Sequence, residues 1–334
     1  MSRPLELDSG AKPKKILSSF VSIARRTADM TDSLVYRKFK LPLDPSRLTD
    51  PKALARLRTA VHHAADITGV AVADPVWREH TRSRSVIFYD TDEFDLYRNS
   101  FILRKRTRLS RGHSPHQEMV FKFRHPDRLM ALRIDPRPAA EIPHILRFKE
   151  QVLPLGPNER GMRSIFWHGC KIFEPCNLQE LPYGRLAAVF PPLRHLRVDP
   201  DARLKSVNGV IVDESLSEIG KLEFAERVTA RAFCSFWSLK PGHRALAGEL
   251  SFQIKYDLGK ISNERIDGQS ESLYLELQSR LAEWTIPGGT KVRELYRLYT
   301  DKKETGAGCI RQPGQAAEDA AIFSTDGAAR RWYS

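Results

Sequence analysis

The sequence predicts an α+β fold: a body of two-faced strands with helices at both ends. Three observations point there. Several segments in the middle of the 334-residue chain alternate polar and apolar residues, the period that sends successive side chains to opposite faces of a strand. One amphipathic helix is legible ahead of them and two more behind. The 41% hydrophobic content is enough for a sizeable core, and the length allows one large or two ordinary domains.

In chain order, residues 1–30 read as a basic N-terminal tail, with Lys12, Lys14 and Lys15 before Ile16, Leu17, Phe20 and Ile23. A basic amphipathic helix at a membrane surface fits that pattern; a frayed terminus is the simpler reading. The first helix follows. Asp50 and Pro51 suit its N-cap and first turn, Leu54, Leu57, Val61 and Ala64 share a face, and Gly69 stops it. In Leu103–Arg108 the stripe is Arg104, Arg106 and Arg108. In Met119–Arg124 it is Val120, Lys122 and Arg124. In 249–256 it is Glu249, Ser251, Gln253 and Lys255. Glu226–Trp237 reads as a further strand carrying Arg227 and Arg231. Residues 125–160 hold six prolines and many charges and are predicted to be a surface excursion. Ser270 caps a predicted helix through Leu273, Leu277, Leu281 and Trp284, broken by Pro287, Gly288 and Gly289. Thr290 starts another with Val292, Leu295, Tyr296 and Tyr299. The folded body is thereby placed at 31–303, with a flexible tail over 304–334.

Lys and Arg outnumber Asp and Glu by 54 to 41, a net charge of +13, which favours acidic partners. Cys170, Cys176, Cys234 and Cys309 contain no CxxC pair and read as free thiols of a cytoplasmic protein. No run approaches the ~20 apolar residues of a membrane helix. Glu6 and Asp8 stand where a secretory leader is basic. The pairs His62/His63 and His113/His116 lack a carboxylate at a metal-binding spacing and read as ordinary polar residues. Without an RNA or DNA motif or a stacking platform, nucleic acid is not an expected partner.

The chemistry lies in the basic strand faces. Arg104 and Arg106, two residues apart, put their guanidinium groups about 7 Å from each other on one face. On pattern alone a solvated surface is the simpler account. Inside a closed barrel the same stripe would repel itself and require an anion, and a chain of phosphates suits Arg forks and Lys point charges.

The segment Ser85 to Arg108, SVIFYDTDEFDLYRNSFILRKRTR, closely resembles the CYTH family, the triphosphate tunnel metalloenzymes. Tyr89-Asp90-Thr91 matches the family's "YDT" step, followed here by Asp95, Leu96, Leu103, Arg104 and Arg106. MVFKFR (Met119 to Arg124) is similar to the next family strand, with Lys122 in the place of its phosphate-binding lysine. The closing helices around Lys291 resemble the family's C-terminal ones, and the likeness runs from about Leu34 to Tyr299. Tunnel domains of polyphosphate polymerases share a related step. The resemblance implies an antiparallel eight-stranded barrel with charged residues inside, acting on thiamine triphosphate, inorganic triphosphate or a nucleotide with Mg²⁺ or Mn²⁺ held by carboxylates.

One departure strikes at the metal. The family opens on an E-x-E-x-K strand, and the aligned residues here are Leu34, Tyr36 and Lys38. The lysine is kept and both glutamates are lost; leucine offers no donor and a neutral phenol a poor one. Glu249 and then Glu223 are the nearest replacements as metal ligands, with a salt bridge the alternative for each. Glu276 reads as solvent-facing. The expected phosphate-binding set is Lys38, Arg104, Arg106, Lys122, Arg124 and Lys255. The expected function is binding of a triphosphate, polyphosphate or nucleotide, with degraded metal-dependent catalysis. An active phosphohydrolase with rearranged carboxylates is the other reading.

Overall fold

The computed structural model describes residues 36–73, 81–108, 116–156, 159–173, 177–255, 264–286 and 289–306. The predicted N-terminal tail, Leu34, His113, Cys176 and the chain after 306 lie outside the described residues.

Eleven strands are described: β1 (Tyr36–Leu43), β2 (Ala71–Val72), β3 (Thr81–Asp90), β4 (Phe101–Arg108), β5 (His116–His125), β6 (His144–Pro154), β7 (Met162–Phe173), β8 (Lys205–Ser206), β9 (Ile211–Glu223), β10 (Thr229–Lys240) and β11 (Arg244–Lys255). Nine of them close a barrel in the order β9-β10-β11-β1-β6-β7-β5-β4-β3, with β3 pairing back onto β9; β2 and β8 flank it. All barrel pairs are antiparallel except β1 with β6, which run parallel from Tyr36↔Lys149 to Phe39↔Val152. The expectation of eight antiparallel strands is thus corrected to nine strands in a mixed barrel. The two differences are linked, because a ring of strands that alternates direction throughout needs an even number of them.

The difference lies in the stretch read as a surface excursion. Its prolines bracket β6 rather than exclude it: Pro143 precedes the strand and Pro154 is its last residue. β6 escaped notice because both of its faces carry charge. Arg147 and Lys149 point inward, while Glu150 points outward to Arg37, 3.0 Å away, and to Ser164.

Helices cover the outer face. α1 (Ala53–Ile67) and α5 (Glu264–Arg280) press Leu57, Val61, Leu273 and Leu277 against Phe39, Leu41, Phe252 and Ile254 of β1 and β11. Asp50 works near the predicted cap, its Oδ1 accepting the Lys52 N–H at 2.8 Å. Gly69 after α1 has φ +65°, a left-handed conformation that favours glycine. α5 starts six residues before Ser270, which is buried inside it with its hydroxyl donating to the Asp267 carbonyl. Ser270 is therefore no cap. On the other side, α4 (Tyr183–Val189) and the turn after it pack Leu186 and Phe190 on Phe101, Leu103 and Phe121. Two short helices, α2 (Asp95–Arg98) and α3 (Arg128–Arg133), follow β3 and β5.

The last helix, α6 (Lys291–Gly306), is placed differently. Its Val292, Leu295 and Tyr296 pack with Val86, Phe88, Ile102, Val212 and Trp237. Val86 pairs with Arg106 and Phe88 with Arg104, and residues directly opposite in a ladder share a face. These apolar residues therefore point into the barrel, and α6 plugs one end of it. The helix begins next to Thr290, as predicted, and the Thr290 hydroxyl accepts the Arg293 N–H at 3.2 Å.

Candidate anion-binding cavity

Inside the barrel, beyond the apolar plug, lies a cavity of about 530 Å³. Among the described residues, thirteen Lys and Arg side chains and two glutamates line it. The expected Lys38, Arg104, Arg106, Lys122, Arg124 and Lys255 all do so, as do Glu249 and Tyr36. Glu223 does not. The carboxylate that β9 supplies is Glu214; Glu223 is the last residue of that strand, nine positions further on and paired with Thr229 and with Ala71 of β2, at the strand's far end. Glu276 lies outside the cavity, on the surface of α5, where it accepts from Arg280 one turn on at 2.8 Å. Arg231 lines the cavity and Arg227 does not.

Several lining residues escaped the sequence reading: Lys40, Arg84, Arg147, Lys149, Lys171 and Lys291, with Glu214. Lys40 was open to it, since it follows Tyr36 and Lys38 on the same strand face. Arg147 and Lys149 were hidden with β6. Lys291 could not be placed by strand periodicity, because it enters from the N-terminal end of α6.

The two glutamates are fully engaged. Glu214 Oε2 accepts from Arg84 Nε, and Glu214 Oε1 from Ser235 Oγ at 3.0 Å and from Lys291 Nζ at 3.3 Å. Glu249 Oε2 lies 3.3 Å from Lys40 Nζ and its Oε1 3.4 Å from Lys291 Nζ. Burial alone would raise both carboxyls. The lysines Lys291, Lys40 and Lys38 outweigh it and hold Glu249 at about 2, and Lys291, Arg84 and Arg106 hold Glu214 well below the usual carboxylate range. Glu118, beneath Arg106 (3.1 Å) and Lys171 (2.6 Å), is another buried anion. No group of three His, Cys, Asp or Glu side chains able to hold a metal occurs among the described residues.

The remaining cations are not matched. Lys38, Arg104, Lys122, Arg124 and Arg147 make no hydrogen bond or ion pair with described residues, and Arg104 Nε is buried without a partner. Burial, and then the neighbouring guanidinium groups, depress the Lys122 ammonium well below its usual range. Lys122 also sits 5.4 Å from the centre of the Trp167 ring, and Lys149 4.1 Å from that of Tyr36. Gly169 makes the room: a Cβ there would come within 2.9 Å of Lys122 Cβ and of the Trp167 ring, and 3.1 Å of the Phe121 carbonyl.

The YDT step proves to be a clamp rather than part of the lining. Asp90 Oδ1 accepts the N–H groups of Thr91 and Leu96, each at 2.9 Å; its Oδ2 accepts Tyr97 N–H and the Tyr296 hydroxyl, each at 3.0 Å. Tyr97 stacks on Tyr296 with ring centres 4.0 Å apart. One buried carboxylate thus orders the β3–β4 connection and fixes α6 in the barrel end, which positions Lys291.

No protein family matches the sequence, and no curated protein does. Solved structures similar to it include a candidate adenylyl cyclase from Hippeastrum described as having a dominant triphosphatase activity, at 12% identity over 80% of this chain and 96% of that one, with a TM-score of 0.36. A candidate adenylate cyclase from Bacillus halodurans is similar at 13% identity over 78% and 96% of the two chains, with a TM-score of 0.34. The PH1819 protein of Pyrococcus horikoshii is similar at 11% identity over 80% and 99%, with a TM-score of 0.33. No helix among the described residues is long and apolar enough to cross a membrane.

Proposed function

We propose that this protein binds a triphosphate- or polyphosphate-type anion, free or as part of a nucleotide, inside its barrel, and that metal-dependent catalysis there is degraded. One observation carries the reading: Lys38, Arg104, Lys122, Arg124 and Arg147 converge on one cavity inside the barrel with no carboxylate of the described residues paired to them. Like charges shielded from water repel and are costly to bury. A linear polyanion would relieve that repulsion at several points at once, with charge-assisted hydrogen bonds to each phosphate.

The residues present do not fit a bound Mg²⁺ or Mn²⁺. A hard divalent ion needs free oxygen donors. All four oxygens of Glu214 and Glu249 already face Arg84, Lys40 or Lys291, and Tyr36 stands where the family resemblance leads one to expect a glutamate. Binding is the reaction these side chains support by themselves.

Calorimetric titration with inorganic triphosphate, with and without Mg²⁺, tests the proposal. Binding is expected in both conditions, with a rise in melting temperature by mass action. Lys122→Ala and Arg104→Ala should each weaken it by about 1.5–3 kcal/mol, the worth of a charge-assisted hydrogen bond. Unchanged affinity in both variants would show that the anion sits elsewhere. Mg²⁺-dependent triphosphate hydrolysis by the unaltered protein would replace the binding reading with that of an active phosphohydrolase.

A further inference from the structure

We propose that Lys291 is a built-in cation for the buried glutamate pair: its ammonium holds the position between Glu214 and Glu249 that a divalent ion would otherwise take. The inference shares the cavity of the anion-binding reading, but its test uses no phosphate.

Two carboxylates that share one cavity raise each other's proton affinity, and a cation between them offsets that repulsion. Lys291 Nζ lies 3.3 Å from Glu214 Oε1, 3.4 Å from Glu249 Oε1 and 2.7 Å from Ser235 Oγ. An ammonium has three N–H donors, and three oxygens surround this one. The face of Trp237 closes the remaining side, with the ring centre 5.0 Å from Nζ. Ser235 adds to the closure by donating its own hydroxyl to Glu214. The ammonium is thus enclosed in the manner of a coordinated ion.

Helix propensity does not explain its position. Lys291 is the first residue of α6, and a cation at a helix N-terminus is opposed by the helix dipole. The position is imposed by packing. Val292, Leu295 and Tyr296 are buried in the barrel end, and the Tyr296 hydroxyl is tied to Asp90. A separate element, inserted from outside the sheet, therefore delivers the charge to two glutamates on β9 and β11. Removing that one side chain would leave two buried carboxylates with a cation-sized gap between them.

The test is a Mn²⁺ titration followed by the loss of the free-ion paramagnetic resonance signal, on the full chain without phosphate. The unaltered protein is expected to take up no Mn²⁺ in the cavity. Lys291→Met, close in length and uncharged, is expected to gain one Mn²⁺ per chain and a melting temperature that rises with Mn²⁺. Lys291→Arg should gain neither. Adding Glu214→Gln and Glu249→Gln to Lys291→Met should abolish the new site. The proposal is overturned if the unaltered protein binds one Mn²⁺ that Glu249→Gln or Glu214→Gln removes, a result that needs no Lys291 variant to fold. It is equally overturned if folded Lys291→Met binds no Mn²⁺. Triphosphate binding by the unaltered protein stands or falls separately.

Discussion

Two lysines of the lining are tuned for proton uptake. Lys38 is lowered to about 7, by burial first and by Lys40 and Lys291 in addition, against the pull of Glu249. Lys149 is lowered to about 6, again by burial first and then by Arg147 and Lys38. In the ligand-free protein at neutral pH Lys149 is largely deprotonated and Lys38 about half so, and a bound polyanion would favour their charged forms. Triphosphate affinity should therefore fall as pH rises from about 6 to 9, with protons taken up on binding. Calorimetry in buffers of different ionisation enthalpy measures that uptake, and the double variant Lys38→Met/Lys149→Met should remove most of it. Binding without proton uptake at pH 8 would rule this linkage out. For folding itself the sign is opposite. With Lys38 at about 7 in the folded chain against the 10.5 of an ordinary lysine, the unfolded chain holds more protons in between. The contribution to ligand-free stability therefore rises with pH across that window. Of these two residues only Lys38 was legible in the sequence, because strand alternation and the family resemblance both mark it. Lys149 lies on a strand whose two faces are both charged, where periodicity carries no signal.

The elements were legible where one face is apolar and the other is not. α1 and the stripes of β5 and β11 meet that condition, and the residues of those stripes line the cavity; on β4 Arg104 and Arg106 do so, whereas Arg108, at the exposed end of the strand, does not. Ser270 misled because a hydroxyl that bonds the carbonyl three residues earlier satisfies itself inside a helix as well as it would at a cap. The YDT step was readable as a motif but not as a device, since the partner of Asp90 lies 206 positions away at Tyr296. That separation makes a prediction at the scale of the closing helix. Tyr296→Phe removes a single bond to Asp90 and should cost about 1 kcal/mol or somewhat more. Asp90→Ala leaves the buried N–H of Leu96 without its partner and strips that of Tyr97 as well. At about 1–3 kcal/mol for each buried group left unsatisfied, it should be markedly worse than Tyr296→Phe in urea denaturation. It should also loosen Lys291, so that anion affinity changes although Asp90 lines no part of the cavity. Equal stability of the two variants would show that the carboxylate is not the clamp.

Across the whole molecule, the unpaired charge of the barrel interior dominates. The basic stripes could be read from the sequence, but not whether they faced water or one another. That depends on what covers the other face of each strand, and here α1, α5 and α4 come from distant parts of the chain to bury the outer one. The inward stripes are then forced together, thirteen basic side chains against two lining glutamates among the described residues. Such an interior works against folding in the absence of ligand, because cations left unpaired in a poorly solvated space each raise the energy of the native state. Binding sites held at some cost in stability are common in proteins. The double variant Arg104→Met/Lys122→Met keeps side-chain length and removes two unpaired charges, so it should melt at a higher temperature than the unaltered protein in low-salt buffer without phosphate. Each kcal/mol gained is worth about 2–4 °C for a chain of this class, and the same variant should bind triphosphate far more weakly. Sulfate should narrow the gap in melting temperature more than chloride at equal ionic strength. A multivalent anion can enter the cavity and neutralise its cations, whereas chloride acts mainly by screening charges exposed to solvent. If the double variant is less stable than its parent in low salt, then the cations are already compensated within the protein, and the case for a missing polyanion fails with them.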